Sequence, residues 1–305
     1  MNSKILCRVL TGPTATGKSE LAVQFATETE SDIISMDSMQ IYRGMDIGTA
    51  KITVSEQKGV RHWMLDIVDP RDEYSVSSYR DDAELLVRRL HNEGRNILFV
   101  GGTGLYLHAL IHPVSMGAVP ADPELRESLH RLSERPGGKE QLHAELKKID
   151  PATASRLPVN DVRRVIRAIE VTRLTGTPFS MQPARNEPSP FEWRIASASL
   201  ERNILYERIN RRVDAMITKG LANEVRELLD SGVPENAQSM SGIGYKEMIP
   251  YLKGFRELSD VADDIKTASR HYAKRQLTFL KRENEINYID VSGQDRYEKL
   301  KEVLL

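Results

Sequence analysis

Residues 6–22, LCRVLTGPTATGKSELA, combine an apolar run, a loop bracketed by glycines and the start of a helix. Residues 12–19 match the phosphate-binding pattern G-x-x-x-x-G-K-[ST] in the strand-to-helix context that this pattern requires. Backbone N–H groups of such a loop curl around an anion, and the helix N-terminus adds its own unpaired donors. Lys18 would supply a cation for the outer phosphate, and the Ser19 hydroxyl is a natural Mg²⁺ ligand. The stretch therefore predicts an α/β fold that holds a diphosphate after its first strand.

The composition is that of an ordinary globular protein of 305 residues, with 40% apolar and 29% charged residues. This length allows one large α/β domain with a smaller one attached. We expect no transmembrane helix, since no long uncharged apolar run is present, and no signal peptide, since the first strand begins almost at once. The lone Cys7 excludes an intramolecular disulfide and fits a reducing cytoplasm. The net charge of −1 favours neither presence nor absence of a nucleic-acid partner.

Two further predicted strands end in polar or glycine-rich residues. The strand at residues 32–36 leads into Asp37, and the strand at residues 96–100 leads into the turn GGTG, which contains Thr103. Ligand chemistry gathers beyond the carboxyl ends of strands in an open parallel sheet, so both side chains should lie beside the phosphate loop. Asp37 could be an outer-sphere magnesium ligand, a general base or a capping residue. Residues 41–51 predict a loop and residues 62–69 another short strand.

The middle of the chain shows no strand pattern between Pro113 and Phe191. Asp122 before Pro123 and Asp150 before Pro151 are typical helix starts, and a third helix should follow residues 160–161. Residues 177–191 are rich in proline, serine and asparagine and predict a linker. We therefore divide the chain into a first core segment (residues 1–113), an inserted helical domain (114–191) and a second core segment (192–305).

Basic residues recur at helical spacing in the last third of the chain. Arg208 and Arg212 lie one turn apart in the predicted helix at residues 205–216, where they could clamp a diphosphate or form a solvated face. The helix at residues 263–282 carries one basic stripe, a pattern typical of a phosphate-backbone contact, made of Lys266, Arg270, Lys274 and Lys281. Two glycines before Tyr245 and Lys246 would let the backbone approach a nucleic acid.

Six segments together resemble the family of tRNA dimethylallyltransferases, also called tRNA isopentenyltransferases. They occur in the family's order and cover nearly the whole chain: GPTATGKSELA (12–22), DSMQIYRGMDIGTAK (37–51), VGGTGLY (100–106), DVRRVIRAIEV (161–171), GIGYKEM (242–248) and AKRQLTFLKR (273–282). Met39 and Phe279 stand at positions where the family varies. No proposed catalytic position departs from the family pattern.

The resemblance implies a P-loop kinase-like α/β core with an inserted all-helical domain. It implies a cytoplasmic, monomeric enzyme that needs Mg²⁺, bound by Ser19, and has no membrane contact. The reaction would transfer a dimethylallyl group from dimethylallyl diphosphate to N6 of the adenosine just 3′ of the anticodon, in tRNAs that read codons starting with U. Asp37 would act as the general base, and Thr103 would bond the bridging oxygen or orient Asp37.

The resemblance also implies two sets of binding residues. The diphosphate would be held by Gly12, Pro13, Thr14, Ala15, Thr16, Gly17, Lys18, Ser19, Arg208 and Arg212. The tRNA anticodon stem-loop would be contacted by Asp37, Ser38, Met39, Gln40, Thr103, Arg126, Arg163, Arg164, Val165, Ile166, Arg167, Ser241, Gly242, Ile243, Gly244, Tyr245, Lys246, Lys274, Arg275, Gln276, Leu277, Thr278, Phe279, Leu280 and Lys281.

Three other functions remain compatible with the phosphate loop. An adenylate isopentenyltransferase would prenylate a free nucleotide, but the inserted domain and the basic stripe would then have no task. A P-loop nucleotide kinase would bind ATP, yet Asp37 and Thr103 lie in motifs unlike those of kinases. A non-catalytic RNA-binding module that senses nucleotide would leave the acid and the hydroxyl at two strand ends unexplained.

Overall fold

The computed structural model describes residues 4–112, 119, 122–182 and 189–305. The chain separates into two compact units, one made of residues 1–112 with 189–305 and the other of residues 113–188. The predicted boundary at residues 113 and 114 and part of the predicted linker (183–188) lie outside the described residues. The first unit contains the sheet, and the second is helical where it is described.

The strands are β1 (Ile5–Thr11), β2 (Ser31–Ser35), β3 (His62–Trp63), β4 (Asn96–Val100), β5 (Phe191–Ser199) and β6 (Ile286–Asp290). The helices are α1 (Lys18–Glu28), α2 (Val54–Gln57), α3 (Val76–Asn92), α4 (Gly104–Ile111), α5 (Pro123–Ser133), α6 (Gly138–Ile149), α7 (Pro151–Ala154), α8 (Val162–Thr175), α9 (Arg202–Thr218), α10 (Leu221–Asp230), α11 (Tyr245–Leu252), α12 (Leu258–Leu280) and α13 (Arg296–Leu304).

The sheet has the order β3-β2-β4-β1-β5-β6, and all of its pairs are parallel. The predicted α/β fold with a central parallel sheet is therefore confirmed. The carboxyl ends of β1, β2 and β4 meet at one edge, since β4 pairs with both other strands. Backbones approach closely there: a β-carbon at Gly12 would lie 2.5 Å from the Ala198 carbonyl oxygen, and one at Gly101 would lie 2.3 Å from that of Met36.

Helices cover both faces of the sheet because successive apolar side chains of a strand point to opposite sides. Cys7 and Val9 of β1 pack with α3 and α4 on one face. Leu10, which follows Val9 and points to the opposite face, packs with α1 and α13. Burial raises the pKa of the Cys7 thiol, so this cysteine is an inert core residue.

The loop at residues 41–51 is anchored in a separate apolar cluster. Ile41, Tyr42 and Met45 are fully buried and pack against α10, α11 and α12. The loop has no regular helix or strand, as predicted, but its apolar side chains fix its position. It therefore returns to the same sheet edge as Asp37.

In the helical unit, α5, α6 and α8 pack around a core of their own that includes Leu129, Leu146 and Ile169. Its helix starts agree with the sequence: the Asp122 carboxylate accepts from the Leu125 N–H at 2.9 Å, and that of Asp150 accepts from the Thr153 N–H at 3.0 Å. In the described part of the chain, none of the helices is both long and apolar enough to cross a membrane.

Two predicted elements need correction. The strand expected at residues 62–69 is limited to His62–Trp63, because Met64 and Asp66 take positive φ angles of 62° and 55° that no strand can continue through. The linker expected to run to Phe191 ends earlier, since Phe191 is the first residue of β5 and pairs with Ile5.

Candidate active site

The phosphate loop connects β1 to α1 with its glycines and a hydroxyl in fixed positions. Gly17 has a left-handed φ of 87° and caps α1, whose first N–H groups have no partner within the helix. The Thr16 hydroxyl donates to the Pro13 carbonyl at 3.0 Å and closes the loop. The Thr14 N–H, however, donates to the side chain of Gln276 at 3.0 Å. The donors left for an anion therefore begin after Thr14.

Lys18 is folded back over its own loop. Its ammonium group donates to the Pro13 carbonyl at 2.6 Å and to the Thr16 hydroxyl at 3.3 Å. Burial, and secondarily the charge of Arg212, lowers the pKa of Lys18 to about 7, while Asp37 acts in the opposite sense. An added negative charge would stabilise the charged form of a lysine in this state, so the loop is suited to bind an anion.

Arg208 and Arg212 lie on the turn of α9 that faces the loop. Arg212 donates from Nη1 to the Thr14 hydroxyl at 2.8 Å and from Nη2 to the Thr49 carbonyl at 3.1 Å. Arg208 Nη1 would lie 4.0 Å from a β-carbon at Gly17. Burial lowers the pKa of Arg212, and Asp37 counteracts this. The two predicted clamp residues are thus beside the loop, and Arg212 also ties it to the 41–51 loop.

Asp37 lies directly after β2 with one carboxylate oxygen held by backbone. Oδ1 accepts from the N–H groups of Met39 at 2.9 Å and Gln40 at 3.3 Å, which fixes the side chain. Among the described residues, no hydrogen-bond donor reaches Oδ2. The second oxygen of an oriented carboxylate is therefore available at the sheet edge, next to two cations.

Thr103 lies after β4 and faces the Asp37 turn. Its hydroxyl oxygen accepts from the Ser38 N–H at 3.1 Å, and its own N–H donates to the Met36 carbonyl at 3.2 Å. A further hydrogen bond joins the hydroxyls of Thr103 and Tyr272. Burial, together with the charge of Asp37, raises the pKa of Tyr272 to about 12, so this phenol stays protonated. Asp37, Thr103 and Tyr272 therefore form one polar group.

Gln276 of α12 joins the two glycine-rich strand exits. Its Oε1 accepts from the Thr14 N–H at 3.0 Å, and its Nε2 donates to the Gly102 carbonyl at 2.8 Å. The side chain is only 5% exposed. The oxygen and the nitrogen of its amide group are thus both used to hold the phosphate loop against the GGTG turn.

A second buried side chain, Glu224 of α10, holds the 41–51 loop. Its carboxylate accepts three backbone N–H groups, from Asp46 at 2.9 Å, Ile47 at 2.6 Å and Gly48 at 3.0 Å. The Tyr245 hydroxyl donates to it at 2.6 Å. The Gln40 amide in turn donates to the Thr49 carbonyl at 3.2 Å. Gln40, expected to contact the tRNA, is therefore held by the loop that Glu224 orders.

The basic stripe on α12 divides into a paired half and an exposed half. Lys266 forms ion pairs with Asp214 at 2.7 Å and Asp263 at 3.5 Å, and Arg270 donates to Asn210 at 2.7 Å. The uninterrupted stripe predicted from sequence is therefore wrong for its first half, because α9 packs on that face. In the exposed half, Lys274 lines a groove together with His271, Arg275, Thr278, Phe279 and Arg282.

Within the helical unit, the fully buried Glu170 gathers two of the predicted arginines. Its carboxylate contacts Arg126 at 2.8 Å and Arg167 at 2.5 Å and accepts from the Asp122 N–H at 2.8 Å. Burial acts to raise the pKa of Glu170, but these donors outweigh it and lower the pKa. Arg163 and Arg164 are exposed. The unit thus presents several arginines, two of them oriented by one carboxylate.

Not every predicted RNA-contacting residue offers its side chain. Val165 and Ile166 belong to the core of the helical unit, and Leu280 and Tyr245 are no more than 1% exposed. Gln276 is engaged as described above. These side chains pack in the protein interior because they lie on the inner faces of their helices. Only their backbone atoms or adjacent residues could contact a ligand.

Comparisons with known proteins agree on one family. The family model for IPP transferases matches residues 40–283. The tRNA dimethylallyltransferase of Halalkalibacterium halodurans is 43% identical over 305 residues, covering 99% of this chain and 96% of that protein. That of Pelotomaculum thermopropionicum is 46% identical over 294 residues, covering 96% and 93%. The chain belongs to the IPP transferase family.

Solved structures extend the likeness to three dimensions. The full-length tRNA isopentenylpyrophosphate transferase from Bacillus halodurans matches with a TM-score of 0.73 and 42% identity, covering 99% of this chain and 95% of that one. A eukaryotic dimethylallyltransferase described as acting on tRNA matches with a TM-score of 0.81 and 26% identity, covering 99% and 78%. The resemblance inferred from sequence is confirmed, and the chain is a prenyltransferase.

The roles of three side chains at the site of this transferase were not predicted from the sequence. Tyr272, Gln276 and Glu224 are separated from their partners by up to 262 residues along the chain. Gln276 was expected to contact the tRNA as part of segment 273–282, and its contacts with the phosphate loop and the GGTG turn were not predicted. A polar residue on the buried side of a helix is the one signal that could have identified Gln276 and Glu224.

Proposed function

We propose that this transferase moves a dimethylallyl group from dimethylallyl diphosphate to N6 of the adenosine just 3′ of the anticodon, in tRNAs that read codons starting with U. One observation carries the proposal: Asp37 Oδ2 and the Thr103 hydroxyl lie beside an anion cradle that contains Lys18 and Arg212. A cradle, a base and an oriented hydroxyl are what displacement of a diphosphate by a weak nucleophile needs.

The cradle would bind the diphosphate of the donor. Lys18 and the N–H groups of residues 15–19 bind its oxygens, and Arg208 and Arg212 cover it from α9. As the C1–O bond breaks, negative charge grows on the bridging oxygen. The same cations stabilise that charge more strongly in the transition state than in the bound donor, which accelerates the step.

Asp37 would serve as the general base. The lone pair of the exocyclic N6 amine is delocalised into the adenine ring, so the amine is a poor nucleophile. As the N6–C1 bond forms, the amine gives one proton to Asp37 Oδ2, and diphosphate leaves with the electron pair of the C1–O bond. Thr103 and Tyr272 would orient the carboxylate and the bridging oxygen.

The donor set around the loop fits Mg²⁺. The Ser19 hydroxyl is exposed at the first turn of α1, and no group of three carboxylates or imidazoles lies at the phosphate loop in the described chain. Mg²⁺ is commonly held by one or two protein oxygens, waters and substrate phosphates rather than by a protein cage. Ser19 would hold the ion, which would neutralise part of the diphosphate charge.

Lysine and arginine side chains on both units would bind the phosphate backbone of the tRNA. The exposed half of the basic stripe offers Lys274 and Lys281, with Arg275 beside them. The helical unit offers Arg126, Arg163, Arg164 and Arg167. The reacting adenosine must leave the anticodon-loop stack to reach Asp37, as with other enzymes that act on a base.

One assay tests the proposal: radiolabelled dimethylallyl diphosphate, Mg²⁺ and bulk tRNA are incubated with the enzyme, and label is followed into RNA. Label should enter tRNA and should stop with Asp37→Asn while tRNA affinity stays nearly unchanged. Asp72→Asn, an exposed loop substitution, is the matched control. Label in free AMP would assign the protein to adenylate prenylation, and phosphoryl transfer from ATP without label in RNA would make it a kinase.

A further inference from the structure

A cluster of metal-ligating side chains lies outside the phosphate-loop site. His108 of α4 and His112, which caps the same helix one turn later, face Glu283, which follows α12. His108 Nδ1 is 2.8 Å from Glu283 Oε1, and His112 Nε2 is 2.6 Å from Oε2. All three side chains can bring one ligand atom each to within 4.8 Å of the others.

The carboxylate of this cluster is buried, whereas its two imidazole side chains are partly exposed to solvent. The Glu283 side chain is 6% exposed, whereas those of His108 and His112 are 31% and 46% exposed. Both oxygens of a buried carboxylate thus point at imidazole nitrogens that solvent can reach. An ion could enter from the histidine side without unfolding either helix.

The donor chemistry matches a divalent transition metal. Two imidazoles and one carboxylate, with water in a fourth position, are a known zinc ligand set, and a helical spacing of four residues places both imidazoles on one face. Tetrahedral Zn²⁺ with bonds of about 2.1 Å places its ligand atoms roughly 3.4 Å apart. The two histidine–glutamate contacts, at 2.8 Å and 2.6 Å, would have to widen by up to about 0.8 Å, and ligand atoms as far as 4.8 Å apart would have to approach by up to about 1.4 Å.

A neutral imidazole carries its proton on one ring nitrogen and a lone pair on the other, so the nitrogen that faces Glu283 can serve as a metal ligand. We propose that His108, His112 and Glu283 form a divalent-metal site of this transferase, with Zn²⁺ as the preferred ion.

The site would be structural, since it joins two elements that carry the active site. α4 begins immediately after Thr103, and the ring of Phe279 lies edge-on to that of His108 at 6.1 Å between centroids. α12 carries Gln276 and Tyr272. An ion between the ends of α4 and α12 would add to the links that Glu283 and Phe279 already make between them.

Metal binding is tested on the untagged full-length protein after treatment with a chelator. Titration with Co²⁺, followed by its visible absorption, and competition with Zn²⁺ should show one high-affinity site per chain. His108→Ala and His112→Ala should each weaken Zn²⁺ binding at least about tenfold. Zn²⁺ at about 100 times the wild-type dissociation constant should raise the melting temperature of the wild type by about 5 °C and that of each variant by no more than about half as much.

Control variants separate this site from other metal contacts. His91→Ala removes an exposed histidine at the end of α3 and should bind Zn²⁺ like the wild type. Glu283→Gln keeps the side chain's size but removes its charge, and should also lose affinity. Equal Zn²⁺ binding by the wild type and the His108→Ala, His112→Ala double variant would overturn the proposal and leave a plain hydrogen-bonded cluster. Prenyl transfer is not measured here, so neither result bears on the proposed reaction.

Discussion

Replacing Gln276 with leucine should impair donor use more than it impairs folding. The change keeps the side-chain volume but leaves the Thr14 N–H and the Gly102 carbonyl without their present partners. An unmade hydrogen bond at a buried group costs about 1–3 kcal/mol. Thr14 is half-buried, so its N–H can form a hydrogen bond with water instead, and the lower end of this energy range applies to it. We expect about 2 kcal/mol of lost transition-state stabilisation, which corresponds to roughly a 30-fold fall in kcat/KM for dimethylallyl diphosphate.

The assay is steady-state prenyl transfer with varied donor at saturating tRNA, accompanied by thermal unfolding. Gln276→Glu keeps an acceptor for the Thr14 N–H but loses the donor to Gly102, so it should fall between leucine and the wild type. Ser269→Ala, two turns earlier on α12, is the control for substitution on this helix. A lower melting temperature with unchanged donor kcat/KM would refute the argument, because Gln276 would then only stabilise the fold.

Three further outcomes are expected from the same contacts. Because the pKa of Lys18 is about 7 in the free site, binding of the donor should be accompanied by uptake of a proton. The affinity for the donor should therefore be highest below pH 7 and fall as the pH rises above 7. Calorimetry at several pH values measures this dependence, which should be absent in Lys18→Met. Glu224→Gln should lower the free energy of unfolding by roughly 2–4 kcal/mol, because a charged acceptor for four donors is lost. Denaturant unfolding measures this change, and the exposed control Glu227→Gln should leave the free energy of unfolding almost unchanged. Lys274→Ala should reduce the salt slope of tRNA binding by about one, and a matching reduction in Lys266→Ala would contradict the division of the α12 stripe.

The elements of the sheet edge were predictable because their signals are local. Apolar runs followed by glycine or aspartate placed β2, β4 and the phosphate loop within a residue of their observed bounds. Parallel pairing then brought Asp37, Thr103 and Lys18 together without further information. The same reasoning placed Arg208 and Arg212 on one helix turn, where the structure finds them.

The supporting contacts were not predictable because they depend on which face of a helix another element covers. Helical spacing grouped Lys266 with Lys274, but it could not show that α9 packs over Lys266. Gln276 lies two residues from Lys274, yet its side chain points to the phosphate loop instead of solvent. Periodicity assigns relative angles on a helix, and only tertiary packing decides which of those angles is inside.

Charge explains why the supporting contacts matter for the proposed reaction. Lys18 and Arg212 both have a lowered pKa in the free site because they are buried, so an anion bound beside them would favour their charged forms. Such cations must be fixed by neighbours, and the neighbours are Gln276, acting on the loop, and Thr49, whose carbonyl accepts from Arg212. A leaving diphosphate gains negative charge where these cations already lie. Folding has already placed these groups around the diphosphate site, so they stabilise the transition state without further reorganisation.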